Sequence, residues 1–219
     1  GILGTLFENP SSLASPSVSV SSYNSFGISD ELYYSVFKPK NNLQWEGNLK
    51  RYRLGVNDDF EPTIFDQKGN NAIDDRTGYF ATSAQSYWTL DSEGADGKIV
   101  SSGGMASRLT TPRNVFTSKS GKLIPFIKAP GEYNISRALL NIPDEDVEYR
   151  NTLIAWANGY DVNIPEEDGS FATPRTAMED PLHSTPITIT YSSGDSSDES
   201  SEKALFIGTN SGYLHAFNI

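Results

Sequence analysis

The sequence predicts a mainly β fold, and three observations carry that prediction. Alternating apolar and polar residues come in short, closely spaced runs. Tyr and Phe, eleven of each, far outnumber the two Met. Polar turns bearing glycine separate the runs. Short strands at close spacing suit a sandwich, barrel or propeller better than a parallel α/β sheet.

The first 29 residues hold a Ser- and Pro-rich stretch, PSSLASPSVSVSSYNSFGIS (10–29). It reads equally as a linker or as a short edge strand built on Val18 and Val20, with Tyr23 and Phe26 behind them. ELYYSVFKP (31–39) predicts a strand half-buried on both faces: Leu32, Tyr34 and Val36 lie on one side, Tyr33 and Phe37 on the other, and Pro39 stops it. NLQWEGNLKRYRL (42–54) alternates again, and Gly47-Asn48 in its middle predicts a turn joining two strands. Residues 55–100 are dominated by loops: NDD, DQKGNN, DDRTG and DSEGADG are turn chemistry. SSGGMAS (101–107) is a further glycine turn, followed by a strand over RNVFTS (113–118).

A single helix is expected over 143–158. Pro143 and the acids Asp144, Glu145 and Asp146 suit a helix start, Val147, Asn151, Ile154 and Ala157 form a stripe, and Asn158-Gly159 ends it. Three strands close the chain, PITITY (186–191), ALFIGT (204–209) and GYLHAFNI (212–219), with the acidic loop 192–203 at a hairpin tip.

Composition narrows the function classes. A net charge of −11 repels phosphate backbones and anionic lipid, so neither nucleic acid nor a membrane surface is an expected partner. The absence of cysteine excludes a disulfide framework, a Cys-ligated zinc and a thiol nucleophile. No apolar run approaches the roughly 20 residues that span a bilayer. GILGTLF at the N-terminus has no basic flank, so any export signal is expected upstream of Gly1.

The final hairpin, ALFIGT-NSG-YLHAFNI, resembles the inner strands of a quinoprotein-type propeller blade, with Gly212 in the turn and Leu214, Ala216 and Ile219 small or aliphatic for packing between sheets. Other segments resemble the PilC/PilY family of type IV pilus tip-associated proteins, in the family's order. ELYYSVFKPKNNLQWEGNLKRYRL matches through Phe37, Pro39, Trp45, Gly47, Asn48, Leu49 and Lys50; DQKGNNAIDDRTGYF and AQSYW follow. Then come SSGGMASRL, TPRNVFT, LIAWANGYD, and the pairing of EDPLHSTPITITY with FIGTNSGYLHAFN. The matches span about residues 31–218.

The resemblance implies an opening portion, the first blades, of a quinoprotein-like β-propeller with long loops. Residues 1–219 would be one region of that larger domain: a lead-in (1–30), a loop-rich opening segment with the helix (31–182), and the first clear blade hairpin (183–219). It also implies a non-enzymatic structural or adhesive module, exported to the pilus tip, cell surface or outer membrane of a Gram-negative bacterium. Its work would be pilus assembly, attachment and twitching motility, with minor pilins or a tip complex and a surface or host receptor as partners. The alternatives are a propeller dehydrogenase or a calcium-regulated module.

Candidate sites are few. Calcium wants six to eight oxygens from a short loop, and the family's Asp-x-Asp-x-Asp loop is not present in this chain. The nearest approach is Asp161, Asn163 and Glu167, with Pro165 where a further ligand belongs. Asp66-x-Lys68-Gly69 places a lysine where a carboxylate is needed, and Asp195, Asp198, Glu199 and Glu202 read as a solubilising tip. No cofactor is expected within this chain, although calcium is possible in the parent protein. His183 and Ser184 are adjacent, so on a strand they point to opposite faces and form no nucleophile–base pair. Asp180, Pro181 and His183 are expected to order the turn into strand 186–191, and His215 to pack within the blade. No catalytic residue and no cofactor-binding residue is expected. Of Tyr23, Phe26, Tyr33 and Tyr34, most are expected in the core rather than in an exposed adhesive patch.

Overall fold

The computed structural model describes residues 13–15, 30–41, 44–143, 146–175, 178–192 and 201–219. Among the described residues strand accounts for 32% and helix for 11%, with every sheet pairing antiparallel, so the fold is mainly β. None of the helices among the described residues is long and apolar enough to cross a membrane. Two compact units form, one from Gly1–Arg108 with Ala177–Ile219, the other from Leu109–Thr176.

The first unit is built on a long hairpin. β2 (Glu31–Lys38) pairs with β3 (Glu46–Val56), from Glu31 opposite Arg53 to Lys38 opposite Glu46. Six consecutive residues of β2, Leu32 to Phe37, are buried, as the double-faced apolar pattern predicts. β1 (Leu13–Ser15) adds to the outer edge of β2. It falls in the Ser/Pro-rich stretch, whereas Val18, Val20, Tyr23 and Phe26 lie outside the described residues. Tyr33 and Tyr34 are buried as expected.

The expected turn at Gly47-Asn48 does not form. Residues 46–56 are one continuous strand, and Gly47 and Asn48 sit inside it. Packing outweighs turn propensity here. A Cβ on Gly47 would lie 2.5 Å from the Glu179 carbonyl oxygen and 2.6 Å from the Asp180 Cα. The glycine therefore permits the close pairing of β7 (Met178–Glu179) against Glu46 and Gly47.

The free edge of β3 is shared by three neighbours. β7 covers Glu46–Gly47, and β4 (Pro62–Phe65) pairs with Arg53–Val56. Between them, the loops supply the amides: Met105 N–H donates to Leu49 O at 2.8 Å and Tyr87 N–H to Arg51 O at 2.9 Å. Leu32, Tyr34, Tyr52, Ala72 and Ala84 form the core over this sheet, where the Tyr52 and Phe80 rings stack with centroids 4.4 Å apart.

Glu31 ties the start of β2 to two other strands. Its carboxylate meets Arg51 at 2.5 Å, accepts from the Tyr33 hydroxyl at 3.0 Å, and lies 3.4 Å from Lys203. Burial pushes its pKa up, but Arg51, Tyr33 and Lys203 pull harder, and the net shift is below the ordinary 4.5. A depressed carboxylate pKa adds stability above the unfolded value and loses it as pH falls through the folded one. Glu31→Gln is therefore expected to cost about 1 kcal/mol at neutral pH and almost nothing near pH 3. Urea titrations at the two pH values check this; an equal loss at both would contradict the ion-pair account.

The same unit carries a three-stranded sheet in the order β10-β9-β8, of β8 (Ile187–Ser192), β9 (Ser201–Gly208) and β10 (Leu214–Asn218). The turn at 210–212 forms as predicted, with Gly212 at φ 86° and its N–H donating to Thr209 O. Leu205, Ile207 and His215 face inward, and His215 stacks on Phe217 with centroids 5.7 Å apart. Leu214 and Ala216, expected to pack between sheets, face outward instead, as do Ile187 and Ile189. Register decides this, because burying His215 puts both of its neighbours on the other face. The loop tip at 193–200 lies outside the described residues.

The second unit pairs β5 (Phe116–Lys119) with β6 (Lys122–Pro125) and packs them near helix α1 (Val147–Ala157). The strand predicted at 113–118 thus starts and ends slightly later. Asp146 caps the helix, its carboxylate accepting from Tyr149 N–H at 2.8 Å, and Asn158 closes it. Asp144 and Glu145 are outside the described residues. Of the predicted stripe, Ile154 and Ala157 are buried, while Val147 is exposed. Ile124, Ile135 and Ile154 form the small core, with Phe126 and Leu140 against it.

Candidate functional site

The most unusual feature of the first unit is a group of fully buried polar side chains along β3 and the loops it carries. Asn48, Lys50 and Tyr52 alternate along the strand and so share one face. All three are 0% exposed. An isolated buried ammonium is costly, and Lys50 survives there because its surroundings are shaped to receive it.

Lys50 Nζ donates to the carbonyls of Asp96, Gly97 and Ile99 at 2.7–2.8 Å and lies 3.0 Å from Asp96 Oδ2. Asp96 is itself held: Oδ1 accepts from Ser86 N–H and Oδ2 from the Ser86 hydroxyl, both at 2.7 Å. The Ser86 hydroxyl also meets Thr89 Oγ1 at 3.0 Å, and Gly104 N–H donates to that oxygen at 2.8 Å. Burial holds the Lys50 ammonium below the usual lysine range, while Asp96 opposes the shift. Burial, followed by the charges of Asp96 and Asp66, pushes the Tyr52 phenol far up, so it stays protonated.

Asn48 does the same work one turn of pleat away. Its Nδ2 donates to Val100 O and Gly103 O at 2.9 Å, with Ser102 O at 3.3 Å. Its Oδ1 accepts from Leu49 N–H at 2.8 Å and Ala106 N–H at 2.9 Å. Gly104, at φ 58°, fits against this side chain: a Cβ there would lie 2.8 Å from Asn48 Oδ1. Asp66 anchors the preceding loop, with Oδ1 accepting from Lys68 and Asn70 N–H at 2.9 Å and Oδ2 from Gln85 N–H at 3.2 Å.

Four side chains therefore fix a long, irregular stretch, residues 66–106, onto one sheet. The chemistry is that of a clamp. The three N–H groups of Lys50 face four oxygen acceptors, which leaves no lone pair for nucleophilic or base work.

The residues singled out from sequence are placed as follows. Asp161 and Asn163 meet in a two-residue turn, the Asn163 backbone N–H and Nδ2 both donating to Asp161 Oδ1 at 3.0 Å. Glu167 is exposed on the same loop, where Glu166 N–H bonds Ser170 O. Among the described residues no group of three or more His, Asp or Glu is arranged to hold a metal ion. Asp66, the start of another weighed loop, spends its carboxylate on backbone amides.

His183 Nδ1 lies 3.2 Å from Asn210 Oδ1, and Asn210 Nδ2 donates to Asp180 Oδ1 at 2.5 Å. Ser184 Oγ accepts from Gly208 N–H at 2.9 Å. These contacts order the turn into β8, as expected of Asp180 and His183, and His183 and Ser184 bond different partners. Sequence reasoning missed Lys50 and Asp96 as a pair. The one available signal was a lysine on the same face as Asn48 and Tyr52 within an otherwise buried strand. No protein-family model, curated protein or solved structure matches this chain.

Proposed function

We propose that this chain is a non-enzymatic interaction module of a type IV pilus-associated surface protein of the PilC/PilY kind. In this reading it forms the opening part of a β-propeller and acts in pilus assembly and attachment. One observation carries the reading. Four of the residues that carry the resemblance have demanding structural roles: Gly47 at the β7 crossing, Asn48 and Lys50 in the clamp, and Asp66 at the next loop. Such roles need one residue type each, so a shared pattern at these positions points to a shared scaffold rather than shared surface composition. Loops fixed on a rigid β-framework are the usual carriers of recognition. The outward apolar side chains Ile187, Ile189 and Leu214 suit a further sheet stacked on β8–β10, as a propeller requires.

The test is cellular. Antibody raised against the purified chain should label pilus ends or the cell surface by electron microscopy, and deletion of the encoding segment should reduce piliation and surface attachment. Label confined to the cytoplasm, or unchanged piliation and attachment after deletion, would sink the proposal.

A further inference from the structure

Two cavities lie side by side in the second unit, on successive turns of α1. The first, about 560 Å³, is lined by Lys128, Asn134, Ser136, Arg137, Val147 and Arg150, among others. The second, about 530 Å³, shares Lys128 and adds Asn151, Asn158, Tyr160, Asp168 and Phe171. Each volume falls in the range of small-ligand sites, roughly 300–1,000 Å³, and both are grooves open to solvent.

The first cavity presents donors. Arg150 is fixed by bonds from Nε to Ile135 O, from Nη2 to Asn134 Oδ1 at 2.9 Å and from Nη1 to Asn151 Oδ1 at 3.1 Å, leaving one N–H on each Nη. Asn134 Oδ1 accepts from Arg150, and its NH₂ remains to donate. The Ser136 oxygen accepts from Leu139 N–H at 3.2 Å, leaving its hydroxyl proton to give. The side chains of Lys128 and Arg137 make no hydrogen bond or ion pair among the described residues, although the Arg137 carbonyl accepts from Leu140 and Ile142 N–H. Among the described residues no acid lines this cavity, in a chain of net charge −11. Of the described acids near the helix start, Asp146 spends its carboxylate on Tyr149 N–H, and Glu148 is exposed and not part of the lining; Asp144 and Glu145 lie outside the described residues.

The second cavity is different in kind. Tyr160 and Phe171 supply aromatic surface. Asn151, whose Oδ1 is occupied by Arg150, has its NH₂ left to donate. Asn158, whose NH₂ bonds Phe126 O and Ile154 O at 2.8 Å, has Oδ1 left to accept. Asp168 adds a carboxylate. Mixed donors and acceptors beside an aromatic ring match a sugar ring, which has hydroxyls at its edge and C–H groups on its face.

We propose that the second unit binds an acidic oligosaccharide: its carboxylate sits among Arg150, Arg137 and Lys128, and a neutral ring lies against Phe171 and Tyr160. A bare phosphate or sulfate would occupy only a fraction of the first cavity and none of the second. This deepens the attachment role proposed above by naming the class of receptor. It is also testable apart from that role, because binding is measured on the purified chain and pilus association in cells.

The experiment is isothermal titration of the whole chain with a sialyllactose, with lactose and with sodium sulfate. The expected result is saturable binding of the sialyllactose with a dissociation constant on the order of 10 μM to 1 mM, and lactose and sulfate each at least about tenfold weaker. Lys128→Gln with Arg137→Gln should weaken the acidic sugar about tenfold, and Phe171→Ala about as much, in variants whose circular dichroism and melting temperature match the parent. Three results would each overturn the proposal: no saturable heat with any sugar, sulfate binding as tightly as the sialyllactose with Phe171→Ala without effect, or unchanged affinity in the double variant.

Discussion

Replacing Lys50 by methionine is expected to destabilise the first unit strongly, by about 3–5 kcal/mol. The substitution keeps the unbranched stem of the side chain as far as Cε but removes the terminal nitrogen, its charge and all three donors. Asp96 is then left as a buried carboxylate facing no cation, and the carbonyls of Asp96, Gly97 and Ile99 lose their partner at once. Breaking a buried pair from one side costs about 3–5 kcal/mol, against a total of about 5–15 kcal/mol for a typical domain. With a urea dependence of about 1–3 kcal/mol per molar, the midpoint should fall by roughly 1–5 M.

The second substitution separates charge from shape. Asp96→Asn in the Lys50→Met background removes the stranded charge but keeps an acceptor for the Ser86 amide. It should recover about 1–3 kcal/mol, a coupling of the size expected for neighbours in one network. A loss below about 1 kcal/mol for Lys50→Met, or strictly additive effects in the pair, would mean that the clamp contributes little. Hydrogen exchange at Gly104, Met105 and Ala106 reads this locally, which matters in a chain of two units that need not unfold together.

Much of the fold was legible because its signals are local. The strand at 31–38, the 210–212 turn, the last three strands and the helix cap at Asn158 all follow from periodicity or a few turn residues. The failures have a common cause in tertiary context. Gly47-Asn48 has turn chemistry, but its glycine serves a strand crossing from residue 179, more than a hundred positions away. Lys50 looks like an exposed residue of an amphipathic strand until the loop at 96–99 is seen folded over it. Nothing in residues 84–106 marks them as the lid on a buried cation, because the recognition is made by backbone carbonyls, which every sequence has.

The same reasoning limited the candidate site. A calcium loop can be sought by the spacing of its carboxylates, and that search led to Asp161, Asn163 and Glu167. The cavities beside α1 have no such signature. Lys128, Arg137 and Arg150 are separated by the β6-to-helix connection, and they meet only because α1 packs back on Ile124 and Ile135. What makes the first cavity a field of donors is which acceptors are already taken, and that is a property of the hydrogen-bond network alone.

Asn48→Asp should expose the polarity of the clamp more sharply than any truncation. The two side chains are nearly the same size, so packing is preserved. The acceptor facing Leu49 and Ala106 N–H survives, but the NH₂ group that feeds Val100 O and Gly103 O becomes an oxygen. Two donor–acceptor contacts at 2.9 Å turn into oxygen–oxygen repulsions in a dry interior, and each stranded carbonyl adds about 1–3 kcal/mol. The expected loss at neutral pH is about 4 kcal/mol or more, comparable to Lys50→Met. Burial and the facing carbonyls both favour the neutral acid, so the folded pKa of the new carboxyl must lie above its unfolded value. A raised folded pKa gives relative stability below the unfolded pKa that is lost as pH rises through the folded one. The variant should therefore be closest to the parent near pH 4 and fall away toward pH 7. Denaturation midpoints that fall in parallel for variant and parent across this range would show that Asn48 acts by filling space and not by directing hydrogen bonds.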